Sequence, residues 1–171
     1  ARPSRSEPVS GFPAMRLVFE EIGAMPDEEL ALGLRDLLHA TARFGASDLH
    51  LTTGARPFLR KHRELVYLSD YVLTPDDALR LNVALLSSGQ KRTYLLRKDY
   101  DFALAVSATE RYRVNLMFHK NGAAGAYRII APETKPLRDL GFASHLPTID
   151  KLLSYHNGLI LVTGPVGSGK T

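Results

Sequence analysis

The chain has 171 residues, 44% of them hydrophobic and 23% charged, which suits a globular protein with one sizeable core and excludes a disordered tail. Its net charge of +4 comes from 22 basic and 18 acidic residues without a block of like charge, so nothing in it marks a nucleic-acid-binding protein. Cysteine is absent, which excludes a disulfide framework or thiolate zinc site, and the six histidines fall at no metal-ligand spacing.

No apolar run approaches the roughly eighteen residues of a membrane span, and ARPSRSEPVSGFPAM at the start has no signal-peptide core. A cytoplasmic chain without a transmembrane segment is expected. Because it begins with Ala1 and ends inside a motif, it reads as a piece of a longer product. Residues 1–26 are rich in Pro, Ser, Arg and Gly and are expected to form a flexible arm. Order should begin at PDEELALGLRDLLHATARFG, where Pro26 and three acids suit a helix start. Leu30, Leu34, Leu37, Leu38 and Ala42 keep helical spacing there, and Gly45 can close the C-terminus.

SDLHL alternates Leu49 and Leu51 with Asp48 and His50, and PFLRK and ELVYL follow as two more short strand candidates. In TPDDALRLNVALLSSG, Thr74, Pro75 and Asp77 form a capping-box pattern before an apolar face of Leu79, Val83 and Leu86. A third helix is expected over QKRTYLLRK. An antiparallel meander comes next. Tyr100, Phe102, Leu104 and Val106 alternate with polar or small residues in YDFALAVS, as Tyr112, Val114, Leu116 and Phe118 do in RYRVNLMF. Lys120, Asn121 and Gly122 join the second strand to AAGAYRII, Asn-Gly being a strong hairpin signal. Pro132, Pro136 and Pro147 punctuate a connecting segment with a short helix near residues 148–154. GLILVTG then has the continuous apolar character of a strand buried on both faces.

The last eight residues, GPVGSGKT, fit the phosphate-loop pattern GxxxxGK[ST]: Gly164, Pro165, Val166, Gly167, Ser168, Gly169, Lys170 and Thr171. The glycines let backbone N–H groups close around phosphate oxygens, Lys170 adds positive charge for the outer phosphates, and the Thr171 hydroxyl is suited to hold Mg2+ with the bound nucleotide. The second acidic ligand for magnesium and the group that orients the attacking water have no candidates by spacing in the preceding residues. The chain alone is therefore expected not to hydrolyse ATP, and no catalytic residue is assigned in it.

FGASDLHLTTGARPFLR, RYRVNLMFHKNGAAGAYRI, PLRDLGF and GLILVTGPVGSGKT occur in the order found in the N-terminal half of the type IV pilus retraction ATPases, within the larger secretion ATPase superfamily. The chain resembles that family over residues 36 to 171. The resemblance implies an α+β, PAS-like N-terminal domain at 27–132, a linker at 133–157, and the first strand and phosphate loop of a RecA-like α/β ATPase domain at 158–171. It also implies a homo-hexamer on the cytoplasmic side of the inner membrane that engages a membrane platform protein of the pilus. There it would couple ATP hydrolysis with Mg2+ to pilus retraction.

The resemblance further implies that Arg111, Arg113 and Arg128 reach the nucleotide and sense its outer phosphate. The alternation of RYRVN independently puts Arg111 and Arg113 on one face, opposite the core residues. Asp48 and His50 belong to the family signature, but polar residues on the outer face of a strand explain them equally well. The chain departs from the pattern in its 25 or so additional N-terminal residues. It departs again in Lys61, His62 and Arg63 where a glycine turn is usual, and in Asn121 at a commonly basic position. Two readings stay open beside retraction: a pilus assembly or type II secretion ATPase, and a non-catalytic docking module.

Overall fold

In a computed structural model, residues 9–62, 64–130 and 136–164 are described. They divide at Pro132 and Glu133 into two units. The first unit is an α+β domain on a six-stranded, wholly antiparallel sheet. Its strands are β1 (Asp48–Thr52), β2 (Phe58–Lys61), β3 (Glu64–Tyr67), β4 (Asp99–Ala105), β5 (Arg111–His119) and β6 (Gly122–Ile130), ordered β3-β2-β1-β6-β5-β4. The two sequence-local meanders thus meet along β1 and β6, where Asp48 stands opposite Arg128 and Leu51 opposite Gly125.

Helices α1 (Asp27–Phe44), α2 (Pro75–Val83) and α3 (Ser88–Arg97) cover one face of this sheet. α1 starts after Pro26 and stops at Gly45, whose φ of +74° is the left-handed conformation that glycine adopts without penalty. α2 carries the expected Thr74–Asp77 capping box. A second box, Ser87 with Gln90, starts α3 and was not read from the sequence. Leu49, Leu51, Leu59, Tyr112, Val114, Leu116 and Tyr127 point from the sheet into a core completed by Leu30, Leu34, Leu37 and Leu38 of α1. Buried tyrosines also fasten helices to sheet by hydrogen bonds: Tyr112 donates to Leu38 O at 2.6 Å, Tyr94 to Met117 O at 3.1 Å, and Tyr127 to Asn82 Oδ1 at 2.9 Å.

Four expectations are corrected. The described part of the supposed arm is packed: Leu17, Phe19 and Ile22 are fully buried, and a 3₁₀ turn spans Phe19–Ala24. Gly33 of α1 makes room for Leu17, because a Cβ there would lie 3.1 Å from Leu17 Cδ1. Arg80 ties the segment down through the carbonyls of Ile22 and Met25. Secondly, α2 buries Ala78, Leu81 and Asn82 together with Val83, whereas Leu79 and Leu86 are only half-buried. Its inward face is rotated because Asn82, a polar residue, is satisfied in the core.

Thirdly, the β5–β6 turn is Lys120-Asn121 alone: Gly122, expected within the connection, pairs with His119 and opens β6. In the β2–β3 turn, where the resemblance has glycine, His62 takes a left-handed φ of +49°.

The second unit contains 3₁₀ turns at Leu137–Leu140 and Ala143–His145 followed by α4 (Leu146–Leu153). The fourth correction lies here. Residues 158–164 form no strand, and Leu159, Ile160, Leu161 and Val162 are exposed. A strand buried on both faces needs paired neighbours, and among the described residues of this unit there are none. Of the phosphate loop only Gly164 is described; Pro165, Val166, Gly167, Ser168, Gly169, Lys170 and Thr171 lie outside the described residues.

Candidate functional site

Among the described residues of the first unit no helix covers the second face of its sheet, and period-two alternation sends the polar residues of β1, β6, β5 and β4 there. Asp48 on β1 stands opposite Arg128 on β6, which stands opposite Arg113 on β5. Asp101 on β4 reaches Arg113 from the adjacent row, beside Asn115. The result is a line of four charges across four strands, two neighbouring arginines flanked by two carboxylates: Asp48, Arg128, Arg113, Asp101. Like charges directly opposite each other are unfavourable, so the two arginines are tolerated because each has its own carboxylate.

The two ion pairs differ. Arg128 donates through Nε to Asp48 Oδ1 at 2.8 Å, and Ser47 Oγ donates to the other carboxylate oxygen at 2.8 Å. Arg113 donates to Asp101 through Nε at 3.4 Å and Nη2 at 3.0 Å. Burial pushes the carboxyl of Asp48 up, but the hydrogen bonds from Arg128 and Ser47 outweigh it and hold the group below the usual carboxylate range. The hydrogen bond from Arg113 likewise lowers Asp101. The charges border an open depression of about 310 Å³ with Ala126 and His50 in its lining.

His50 stacks on Phe58 with ring centroids 4.6 Å apart, and its Nε2 is buried without a partner among the described residues. Burial pushes its pKa down, against the raising influence of Asp48 and together with the lowering influence of Arg60 and Arg128. Two pH windows follow. A histidine with a depressed folded pKa takes up its proton more readily when unfolded, so stability is complete well above pH 6.5 and is lost as pH falls below it. The depressed carboxylate of Asp48 contributes stability above pH 3.8 that is lost as pH falls through its lower folded value. Urea midpoints measured from pH 8 to pH 3 should fall in these two steps. His50→Gln should flatten the upper one, and an unchanged upper limb in that variant would refute the assignment to His50.

The structure brings Arg113 and Arg128 together and leaves Arg111 apart. Arg111 lies on the same face, opposite Ile130 and Ala105, and makes no ion pair among the described residues. Asp48 and Asp101 were not singled out for a role by sequence. The polar alternation of SDLHL and YDFALAVS put both on a face, but their arginine partners depend on strand order. Among the described residues, no cluster of His, Asp and Glu could hold a metal ion, and no helix is long and apolar enough to cross a membrane.

No family model matches the chain. Over 140 residues, 82% of its length, it is 29% identical to the type IV pilus retraction ATPase PilT of Pseudomonas aeruginosa, of which it covers 40%. It is 25% identical over 136 residues to the type IV pilus ATPase PilU of the same organism, covering 35% of that protein. Its fold superimposes on the crystal structure of the pilus retraction motor PilT with bound ADP, with a TM-score of 0.64 and 32% identity, over 80% of this chain and 39% of that one. The chain thus spans about two fifths of the length of the relatives it matches.

Proposed function

We propose, taking the chain as a relative of the type IV pilus retraction ATPases, that it is the nucleotide-sensing N-terminal part of an ATP-driven pilus motor. In this reading the first unit is a PAS-like domain, residues 133–157 are a linker, and residues 158–171 open a RecA-like ATPase domain. Gly164 to Thr171 hold the phosphates of ATP and its Mg2+. Arg113 and Arg128 meet the outer phosphate, and rotation of the PAS-like domain over the nucleotide drives retraction. The parent assembles as a homo-hexamer on the cytoplasmic side of the inner membrane, against a platform protein of the pilus.

The observation that carries this reading is the pair of guanidiniums side by side on an open sheet face, in a chain that also contains GPVGSGKT. A guanidinium spreads and binds phosphate charge through two parallel N–H donors, which a lysine cannot do. Resting charge on a solvated sheet face would not need two arginines directly opposed. We expect residues 1–171 alone to show no magnesium-dependent ATP turnover. In the full-length protein, Lys170→Ala should lower turnover about a hundredfold or more. Steady-state phosphate release checks both. Turnover by residues 1–171, or wild-type turnover in the Lys170→Ala protein, would overturn the reading.

A further inference from the structure

The four charges across the sheet are two pairs of different standing. The side chain of Asp48 is 7% exposed and both of its oxygens are engaged, one by Arg128 and one by Ser47. Asp101 is 48% exposed, and Arg113 is its one ion-pair partner among the described residues. Pulling Arg128 away would leave a buried carboxylate without a counter-charge, which is strongly unfavourable. Pulling Arg113 away would return an exposed carboxylate to water, and exposed pairs of that kind are weak and screened by salt.

The atoms used differ in the same sense. Asp48 takes only Nε of Arg128, so both terminal nitrogens of that guanidinium are without a partner among the described residues, on a side chain 66% exposed. Asp101 occupies Nε and one terminal nitrogen of Arg113, the edge that a phosphate would use.

We infer that Asp48 is a positioning residue that presents the terminal nitrogens of Arg128 to a nucleotide phosphate. By the same geometry, Asp101 is an exchangeable counter-ion that yields Arg113 to that phosphate. The inference rests on the proposed meeting of these arginines with the nucleotide. Without ligand the four side chains sum to zero charge. Once Asp101 lets go, Arg128, Arg113 and Asp48 present a net +1 to the incoming anion, and the site becomes attractive only as the phosphate takes the place of the carboxylate.

The two aspartates therefore act on ATP binding with opposite signs, which a merely structural role would not produce. In the full-length protein with Mg2+, Asp48→Asn should weaken ATP binding about tenfold relative to ADP, because Arg128 loses the charge that aims it. Asp101→Asn should tighten ATP about two- to fivefold by removing the competitor, with ADP unchanged. Equilibrium titration with each nucleotide reads both effects. Because Asp101 is exposed, its variant remains informative even if Asp48→Asn folds poorly.

Shifts of the same sign in both variants, or equal shifts for ATP and ADP in Asp48→Asn, would overturn the inference while leaving the arginine reading in place. If Arg113→Ala and Arg128→Ala also bind ATP and ADP as the wild type does, the reading beneath it is wrong and the inference falls with it.

Discussion

Gly125→Ala is expected to cost about 3 kcal/mol or more, a large fraction of the roughly 5–15 kcal/mol by which a domain of this kind is stable. Gly125 lies on β6 between Leu51 of β1 and Leu116 of β5, on the covered face of the sheet. A Cβ at this position would stand 1.9 Å from Asn82 Oδ1, 2.8 Å from its Cγ and 3.0 Å from Tyr127 Cε2. Asn82 cannot swing aside cheaply, because its Nδ2 donates to Leu51 O at 3.0 Å and its Oδ1 accepts from Tyr127 at 2.9 Å, all out of contact with water. The added methyl group forces either overpacking of α2 against the sheet or loss of two buried hydrogen bonds. The double variant Gly125→Ala with Asn82→Ala should regain part of the loss, since the clash is with that side chain. A urea midpoint for Gly125→Ala within error of the wild type would disprove this account of the α2–β6 contact.

That same contact explains where the sequence was misleading. Helix α2 was placed correctly because Thr74, Pro75 and Asp77 act locally, through hydrogen bonds three residues apart. Its buried face was misjudged because an apolar-face criterion cannot choose Asn82 over Leu79. The choice depends on Tyr127 and Leu51, distant in sequence. The N-terminal segment fails for a related reason. Leu17, Phe19 and Ile22 form no regular period among prolines and glycines, and the room that Leu17 needs comes from the missing side chain of Gly33.

The outer face was half legible. Alternation sufficed to put Arg113 outward, and the resemblance added Arg128, but neither showed that the two are direct neighbours. That Arg128 is held by Asp48, 80 residues earlier, follows only from the pairing of β1 with β6. Long-range antiparallel pairing of this kind has no local signature, so the carboxylates that govern the arginines were invisible as partners.

The arginines themselves give the second large effect. In the full-length protein, Arg128→Ala and Arg113→Ala should each lower kcat for ATP about a hundredfold or more, the usual consequence of removing one donor that meets developing phosphate charge. Arg111→Ala should cost less. Arg111 shares the face but is flanked by Ile130 and Ala105 across the strands, and no carboxylate among the described residues pairs with it. The alanine variant of Arg128 has a second effect, because it strands the buried carboxylate of Asp48. Arg128→Lys separates the two. A lysine keeps a counter-charge for Asp48 and so should preserve most of the melting temperature, but its single ammonium lacks the planar pair of terminal N–H groups. A normal melting curve with strongly reduced turnover would assign Arg128 to the nucleotide. Wild-type turnover in Arg128→Lys, or a larger loss in Arg111→Ala than in either neighbour, would move the phosphate contact away from the Asp48–Arg128–Arg113–Asp101 line.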